Sequence, residues 1–406
     1  MKKIETLVSA GILVAAFCLV AVLLICRGAK GIETAAGEGP IYDGVTPAEI
    51  SDAFSESDSP PPESSADEAS QPSDPAVSEV QSEVSSQQSP IKSEQPKILP
   101  EPEPSPDRIV DYTLPSSYSV VQNQIDRLCA AFPELVSRSS IGSSVQGRDI
   151  TFLKVGRGSR KICLVGAMHA REHITSAFLM RCVEDYASAY YSDSGSLGRY
   201  DVKGILDDVT FYVVPNCNPD GTEIILSGET PAVDVIRTKA SNYKANANGV
   251  NLNRNFPFAF GFYDKMSDRP HEEKFPGYSE ASEPETKALM ELCLANDFEK
   301  LVSFHIQGEC VYWADSINID TANSEQLADR LKNEFDFYKC PVSSDLSLYG
   351  GGFENWFRYN FSRPGLCVEL MPLEYKASPL SDFDNRHMES SVRYSVTRDI
   401  PLVIAG

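Results

Sequence analysis

Three residues of this sequence have the types and the spacing of a metal site. His169 follows an apolar run, Glu172 comes three residues later, and His305 closes a second apolar run. Imidazole nitrogen and carboxylate oxygen are both zinc ligands, and two histidines with one glutamate leave the fourth position open, as in a catalytic rather than a structural site. In an isolated His-x-x-Glu, the histidine would more simply cap the strand, and the glutamate would stabilise the helix N-terminus through the helix dipole. The second strand-end histidine therefore favours a metal site.

The remaining histidines are weaker candidates. The chain has five histidines in all. His173 competes as a ligand, but it is expected to line the cleft instead. His271 and His387 lie in polar loop contexts and are predicted at the surface.

Alternating apolar runs and amphipathic stretches must position these residues. Short β-rich runs predict strands, and helical spacing of apolar residues predicts helices between them. The predicted strands are 150–155, 162–168, 209–214, 301–304, 311–313 and 366–370, and the predicted helices are 118–136, 172–191, 281–296, 323–336 and 353–360. This order predicts an α/β fold, a mixed, mainly parallel twisted sheet flanked by helices, with function at the carboxyl ends of strands.

Composition divides the chain into three parts. Residues 1–27 contain an uncharged apolar run, 8–26, which comes close to spanning a bilayer. Residues 28–108 hold 13 of the 27 prolines, and 17 Asp or Glu against 4 Lys or Arg. Such a segment cannot recover the entropy cost of ordering. Residues 109–406 suffice for one large folded domain.

This division predicts a signal anchor, a disordered acidic linker and an extracellular catalytic domain. Two lysines before the apolar run place the N-terminus in the cytoplasm, so the expected location is the cell membrane, crossed once. Cleavage of the N-terminal segment would give a secreted protein instead. The net charge of −22 argues against nucleic acid as a partner. Ten cysteines are ordinary usage, and their pairing stays open.

Short motifs along 109–406 resemble those of the zinc metallocarboxypeptidases of the carboxypeptidase A type, in a bacterial-like form. They follow one another in the family's order: the entry segment 141–148, the metal-binding element 166–172, the Asn-Pro-Asp-Gly turn 218–221, the substrate-carboxylate element 249–256, the third-ligand strand end 304–305 and the catalytic glutamate strand 367–370. The resemblance implies the carboxypeptidase fold, one zinc ion and hydrolysis of C-terminal peptide bonds by a zinc-activated water.

The resemblance also implies roles for single residues. Glu369 is the general base for the attacking water. Arg254 and Asn253 bind the terminal carboxylate of the substrate. The arginine that stabilises the oxyanion in the family aligns with Lys244, which keeps the charge but loses the bidentate fork. Arg237 is the alternative cation if the loop is rearranged.

Three more residues are implied at the substrate. Tyr349, in a Gly-rich loop, corresponds to a mobile tyrosine that closes over the substrate, although it is shifted from the animal pattern. Arg171 is expected to meet the substrate upstream of the cut. Glu354 matches the floor of the pocket for the terminal side chain. If it points inward it favours Lys, Arg or a diamino acid, and on the outer face of its helix it has no such role.

Two other functions stay open. Segments 243–250 and 305–309 look more like bacterial members of the family, some of which cut between D-glutamate and diaminopimelate in cell-wall peptides. The substrate is therefore a peptide or a cell-wall peptide. A non-catalytic surface binding domain would have lost Glu369 or a metal ligand, and the sequence keeps all of them.

Overall fold

A mixed β-sheet lies at the centre of the structure. The computed structural model describes residues 108–111, 114–227, 243–261, 266–317, 321–343, 350–371 and 397–406. Its strands are β1 (Val136–Ser143), β2 (Asp149–Val155), β3 (Arg160–Val165), β4 (Val209–Val214), β5 (Lys300–His305), β6 (Cys310–Tyr312), β7 (Tyr338–Lys339) and β8 (Gly365–Glu369). Within the described residues they form one sheet in the order β1-β2-β4-β3-β5-β8-β6-β7.

Parallel pairing dominates the middle of this sheet. Strand β3 pairs in parallel with β4 and β5, and β5 pairs in parallel with β8. Strands β1 and β2 continue the sheet antiparallel on one side, and β6 runs antiparallel to β8 on the other. The mixed, mainly parallel sheet predicted from the sequence is confirmed, and its central strands share one carboxyl edge.

Helices cover both faces of the sheet. They are α1 (Tyr118–Ala131), α2 (Ile174–Tyr190), α3 (Val202–Asp208), α4 (Pro219–Ser227), α5 (Pro284–Ala295), α6 (Thr321–Phe335), α7 (Phe353–Phe361) and α8 (Ile400–Ala405). One apolar core includes residues of α1, α2, α3, α6 and α8, and the other includes residues of α5 and α7. Successive side chains of β3 alternate between them, with Ile162 and Leu164 in the first core and Cys163 and Val165 in the second.

Several predicted boundaries were wrong for identifiable reasons. The helix predicted over 118–136 ends at Ala131, and β1 starts at Val136. Pro133 cannot continue a helix, and most of β1 is exposed, so its sequence lacks the apolar alternation that indicates a strand. The strand predicted over 162–168 ends at Val165, which leaves three residues free to lead into the metal-binding segment.

The described residues begin at Arg108. Arg108 forms an ion pair with Asp185 of α2 at 2.7 Å. The predicted anchor 1–27 and almost all of the predicted linker 28–108 lie outside the described residues. Across the described ranges, every helix is too short or too polar to cross a bilayer.

Candidate functional site

Three parallel strands bring the predicted metal ligands and the predicted base to one edge of the sheet. His305 ends β5 and Glu369 ends β8, and the two residues are partners in the strand register. His169 follows β3 and precedes a short 3-10 helix, Ala170–Glu172. Residues that are far apart in the sequence therefore converge at the carboxyl edge, where α/β sheets place their sites.

Hydrogen bonds join the metal-binding segment to the segment that carries Lys244. The N–H of Ala170 donates to the Lys244 carbonyl oxygen at 3.2 Å. The buried Asn218 side chain donates to the carbonyl oxygens of Met168 at 3.1 Å and of Ala245 at 3.2 Å. The Asn-Pro-Asp-Gly turn thus fixes both segments relative to each other.

The ligand atoms lie at the separations of a zinc coordination shell. Oε2 of Glu172 is 3.0 Å from Nδ1 of His169 and 2.9 Å from Nδ1 of His305. The two Nδ1 atoms are 3.2 Å apart. Tetrahedral bonds of 2.0–2.1 Å separate neighbouring ligand atoms by roughly 3.3 Å. All three side chains are buried, so this donor set fits a zinc ion.

The charges in this cluster also suit a metal. Burial lowers the pKa of His169 to about 4, so its ring is neutral at neutral pH. Burial opposes charge on His305 as well, but Glu172 and Glu354 raise its pKa to about 10. Burial likewise opposes charge on Glu172, yet His169, His305 and Lys244 hold its pKa well below the usual range. Glu172 and Glu354 thus favour a proton on His305 when no metal is bound. A metal cation would supply the positive charge in its place, and its binding would release that proton.

Glu369 has the properties of a general base. Burial raises its pKa to about 7, with His305 and Lys244 acting in the opposite direction and Glu172 adding to the rise. Among the described residues its Oε2 atom has no hydrogen-bond partner, although the atom is buried. A carboxyl group with these properties can accept and return a proton near neutral pH.

Lys244 lies beside the predicted metal site, as the alignment of its segment implied. Its Nζ atom is 3.9 Å from Oε1 of Glu172 and 3.3 Å from Oε1 of Glu273. Nε of Arg171 is 3.8 Å from the same Glu172 oxygen. Two cationic side chains therefore stand on the Oε1 side of Glu172, opposite the oxygen that faces the histidines.

The predicted carboxylate-binding pair lies on a second short 3-10 helix, Leu252–Arg254. Oδ1 of Asn253 accepts from the N–H of Phe353 at 2.8 Å, which turns the amide nitrogen away from α7. Nη1 of Arg254 donates to the Asn253 carbonyl oxygen at 2.5 Å. The pair is thus attached to the first turn of α7, the helix that carries Glu354.

Glu354 points inward and is buried. Its Oε1 atom accepts the hydroxyl of Ser303 and lies 3.7 Å from Nε2 of His305. Burial opposes its charge, but His305 and Ser303 lower its pKa to about 2. An ionised carboxylate therefore lies directly behind a predicted metal ligand.

Several residues singled out in the sequence lie outside the metal cluster or outside the described residues. Three of these positions, Tyr349, Arg237 and His387, are not among the described residues. His173 is buried at the start of α2 and is not part of the ligand cluster. His271, predicted at the surface, is partly exposed, and its Nδ1 lies 2.9 Å from the Tyr243 hydroxyl.

Two site residues were not found from the sequence. Ser303 precedes His305 by two positions on β5, so strand periodicity places both on one face and could have indicated it. Glu273 lies in a polar segment with no such pattern. Its contact with Lys244 depends on two loops that meet only in the folded chain.

Comparison with known proteins agrees with this geometry. The model of a family described as zinc carboxypeptidase matches residues 121–347. The chain is 28% identical over 298 residues to gamma-D-glutamyl-L-diamino acid endopeptidase 1 of Lysinibacillus sphaericus, covering 70% of this chain and 72% of that protein. It is 24% identical over 286 residues to mast cell carboxypeptidase A of Rattus norvegicus, covering 64% and 67%.

A solved structure shares the fold. Bovine thrombin-activatable fibrinolysis inhibitor, in complex with tick carboxypeptidase inhibitor, aligns with a TM-score of 0.55 at 21% identity, over 72% of this chain and 98% of that one. The family match ends before Glu354 and Glu369. The positions of these two residues therefore rest on α7 and β8 in the structure.

Proposed function

Because the chain belongs to the zinc carboxypeptidase family, we propose that it removes single residues from the C-terminal ends of peptides. The family makes it a zinc-dependent hydrolase. The observation that carries the proposal is the arrangement at the carboxyl edge of the sheet. A buried His169, Glu172 and His305 cluster has Glu369 beside it in the strand register.

The side chains present can carry out the hydrolysis. When bound, zinc supplies a positive charge that polarises a carbonyl group and makes water more acidic. Arg254 and the amide nitrogen of Asn253 hold the terminal carboxylate, which fixes the last peptide bond in the site. Lys244 offsets the negative charge that develops on the carbonyl oxygen.

Glu369 moves the proton in this scheme. Its carboxylate takes a proton from the attacking water as the oxygen–carbon bond forms, and returns it to the leaving amine as the carbon–nitrogen bond breaks. No proton is gained or lost by the enzyme over the cycle. A pKa of about 7 lets the same group act as base and then as acid.

A specific finding favours cell-wall peptides as a second substrate class. One relative is named for the bond between γ-D-glutamate and an L-diamino acid. A diamino acid carries a cationic amine, and the net charge of −22 on the chain favours the approach of such cationic substrates. Arg254 serves both substrate classes, since each offers a free carboxylate on the leaving residue.

We also propose that 1–27 anchors the enzyme and that 28–108 holds it away from the membrane. The support is the uncharged apolar run and the acidic, proline-rich composition that follows. Protease treatment of intact cells tests the proposal. Release of an active fragment supports a tether with the enzyme outside, and full protection contradicts it.

A mass-spectrometric time course on the zinc-loaded full chain tests the activity. Its substrates are peptides with free or amidated C-termini and cell-wall muropeptides, and the Glu369→Gln variant is the control. Loss of single residues from free-ended peptides alone supports the main proposal. Cleavage confined to muropeptides supports the second substrate class. No turnover of either set by protein with bound zinc contradicts both.

A further inference from the structure

Glu354 is a charged side chain deep in the protein, and its partners are Ser303 and His305 of β5. It is 3% exposed, and His305 is 1% exposed. A buried carboxylate is costly unless it is paired or hydrogen-bonded. Ser303 supplies the hydrogen bond, and the imidazole of His305 is the cationic or N–H partner at 3.7 Å.

The histidine has an unsatisfied atom on the side that faces this carboxylate. Nδ1 of His305 points toward Glu172 and His169, whereas Nε2 is buried and has no hydrogen-bond partner among the described residues. A neutral histidine that offers Nδ1 to a metal must carry its proton on Nε2. Oε1 of Glu354 is the acceptor that lies toward that proton.

Helix α7 and strand β5 hold the carboxylate in this position. Ser303 and His305 are two residues apart on β5 and share one face. Glu354 lies in the first turn of α7, whose start is fixed by the hydrogen bond from Phe353 to Asn253. The orientation of the carboxylate is therefore set by the fold and not by a flexible loop.

Cys367 lies close enough to His305 and Glu354 to complete a second group of three donors. Burial and the nearby carboxylates raise the pKa of its thiol well above the usual range. A metal in this second group would have to displace the thiol proton of Cys367 as well as the Nε2 proton of His305, which the first group does not require.

We propose that Glu354 is a positioning residue for the zinc ligand His305, with Ser303 orienting the carboxylate. Glu354 accepts a hydrogen bond from the Nε2–H of His305, which fixes the ring orientation and leaves the Nδ1 lone pair for the metal. Carboxylates placed behind histidine ligands commonly raise metal affinity by about 10- to 100-fold. The inference rests on the zinc site of the proposed function, but not on which substrate is cleaved.

Zinc affinity is the direct test. The full chain and its variants are freed of metal, checked for folding by circular dichroism, and titrated with zinc in competition with a chromophoric chelator. We expect Glu354→Gln to weaken zinc binding by about 10- to 100-fold, and Ser303→Ala to weaken it by a smaller factor. Cobalt substitution adds a second readout, because a reoriented His305 shifts the visible absorption bands of the bound ion.

A matched control removes a buried carboxylate elsewhere. Glu184 of α2 is buried and accepts from the N–H groups of Ile109 and Val110. We expect Glu184→Gln to leave zinc affinity and the cobalt spectrum unchanged.

The outcomes separate this inference from the proposed function. Wild-type zinc affinity and cobalt bands in Glu354→Gln overturn the inference, and a change only in the preferred terminal residue does so as well, by assigning Glu354 to the substrate. Weaker zinc binding in Glu354→Gln supports it, even if the wild-type protein cleaves no peptide. That last result would contradict the proposed function alone.

Discussion

Glu369 combines burial, a neighbouring metal ligand and a raised pKa in one side chain. We expect Glu369→Gln to lower kcat by about 10²- to 10⁴-fold, because an amide cannot accept the proton of the attacking water. Zinc content should stay at the wild-type level, since Glu369 is not part of the ligand cluster. Steady-state kinetics with metal analysis measures both quantities.

The control for this variant carries the same Glu→Gln substitution at the opposite edge of the sheet, where the central parallel strands begin. Glu299 precedes β5 and pairs with Arg160, so Glu299→Gln should keep wild-type kcat. Glu369→Gln with full activity would assign the proton transfer to another group.

Arg254 is expected to recognise the free C-terminus. Its hydrogen bonds to a carboxylate would each contribute about 1.5–3 kcal/mol, so loss of one in Arg254→Gln should raise KM by roughly 10- to 150-fold at nearly unchanged kcat. Peptides with amidated ends lack that carboxylate and should be cleaved equally poorly by both proteins. A KM unchanged for free-ended peptides would show that another residue binds the terminus.

Single site residues were predictable where a residue type that can bind a metal stands at a recognisable position in the sequence. His169 and Glu172 lie in one short motif, and His305 ends an apolar run. The links from Glu354 to Ser303 and from Lys244 to Glu273 connect residues 51 and 29 positions apart, the second across two loops. Such contacts depend on side-chain orientation in the folded chain, which spacing in the sequence does not encode.

At the level of elements, Gly351 holds the carboxylate-binding helix against α7. Its φ angle is +73°, and a Cβ atom there would lie 2.0 Å from the carbonyl oxygen of Arg254. We expect Gly351→Ala to displace Arg254 and Asn253, and therefore to raise KM and lower Tm together.

Gly147 provides the matched control for backbone strain. Its φ angle is +80°, but a Cβ atom would meet nothing within 4 Å. Gly147→Ala should cost about 1–2 kcal/mol of stability from the left-handed conformation alone, with KM unchanged. Equal KM values for the two variants would contradict the steric role of Gly351.

Glu285, in the first turn of α5, predicts how stability depends on pH. Burial raises its pKa to about 7 from an ordinary value of 4.5. The folded state therefore binds more protons than the unfolded state between these values. The free energy of unfolding should fall as pH rises through this window, by up to about 1.4 kcal/mol per pH unit from this group.

Urea denaturation at pH 5, 6, 7 and 8 measures this slope. The Glu285→Gln variant cannot titrate at this position, so its unfolding free energy should fall less over the same range than that of the wild type. Parallel curves for the two proteins would assign the slope to other groups.

The elements themselves were predictable to different degrees. The central strands are buried on both faces and read as continuous apolar runs, which made β3, β4 and β5 recognisable. Strand β1 is an exposed edge whose pattern is mostly polar. Strand β1 forms because it is hydrogen-bonded to β2, and no local sequence pattern predicts such pairing.

For the whole molecule, the metal cluster joins two strands, β3 and β5, that lie far apart in the sequence. His169 and Glu172 follow β3, and His305 ends β5. A ligand that binds only the folded state stabilises it by about 4 kcal/mol at a thousandfold excess over its dissociation constant. In a domain of this size, Tm falls by about 2 °C for each kcal/mol of stability that is lost, so removal of zinc should lower Tm by roughly 8 °C.

Calorimetry of the zinc-loaded and chelator-treated protein measures this shift, and His305→Ala is the control. That variant lacks one of the three ligands, so its Tm should change little when the chelator is added. Glu369→Gln keeps the full ligand set and should show the wild-type shift while remaining inactive. This pair separates the structural contribution of the metal from its contribution to hydrolysis. An equal shift in His305→Ala would place the stabilising metal outside the described cluster.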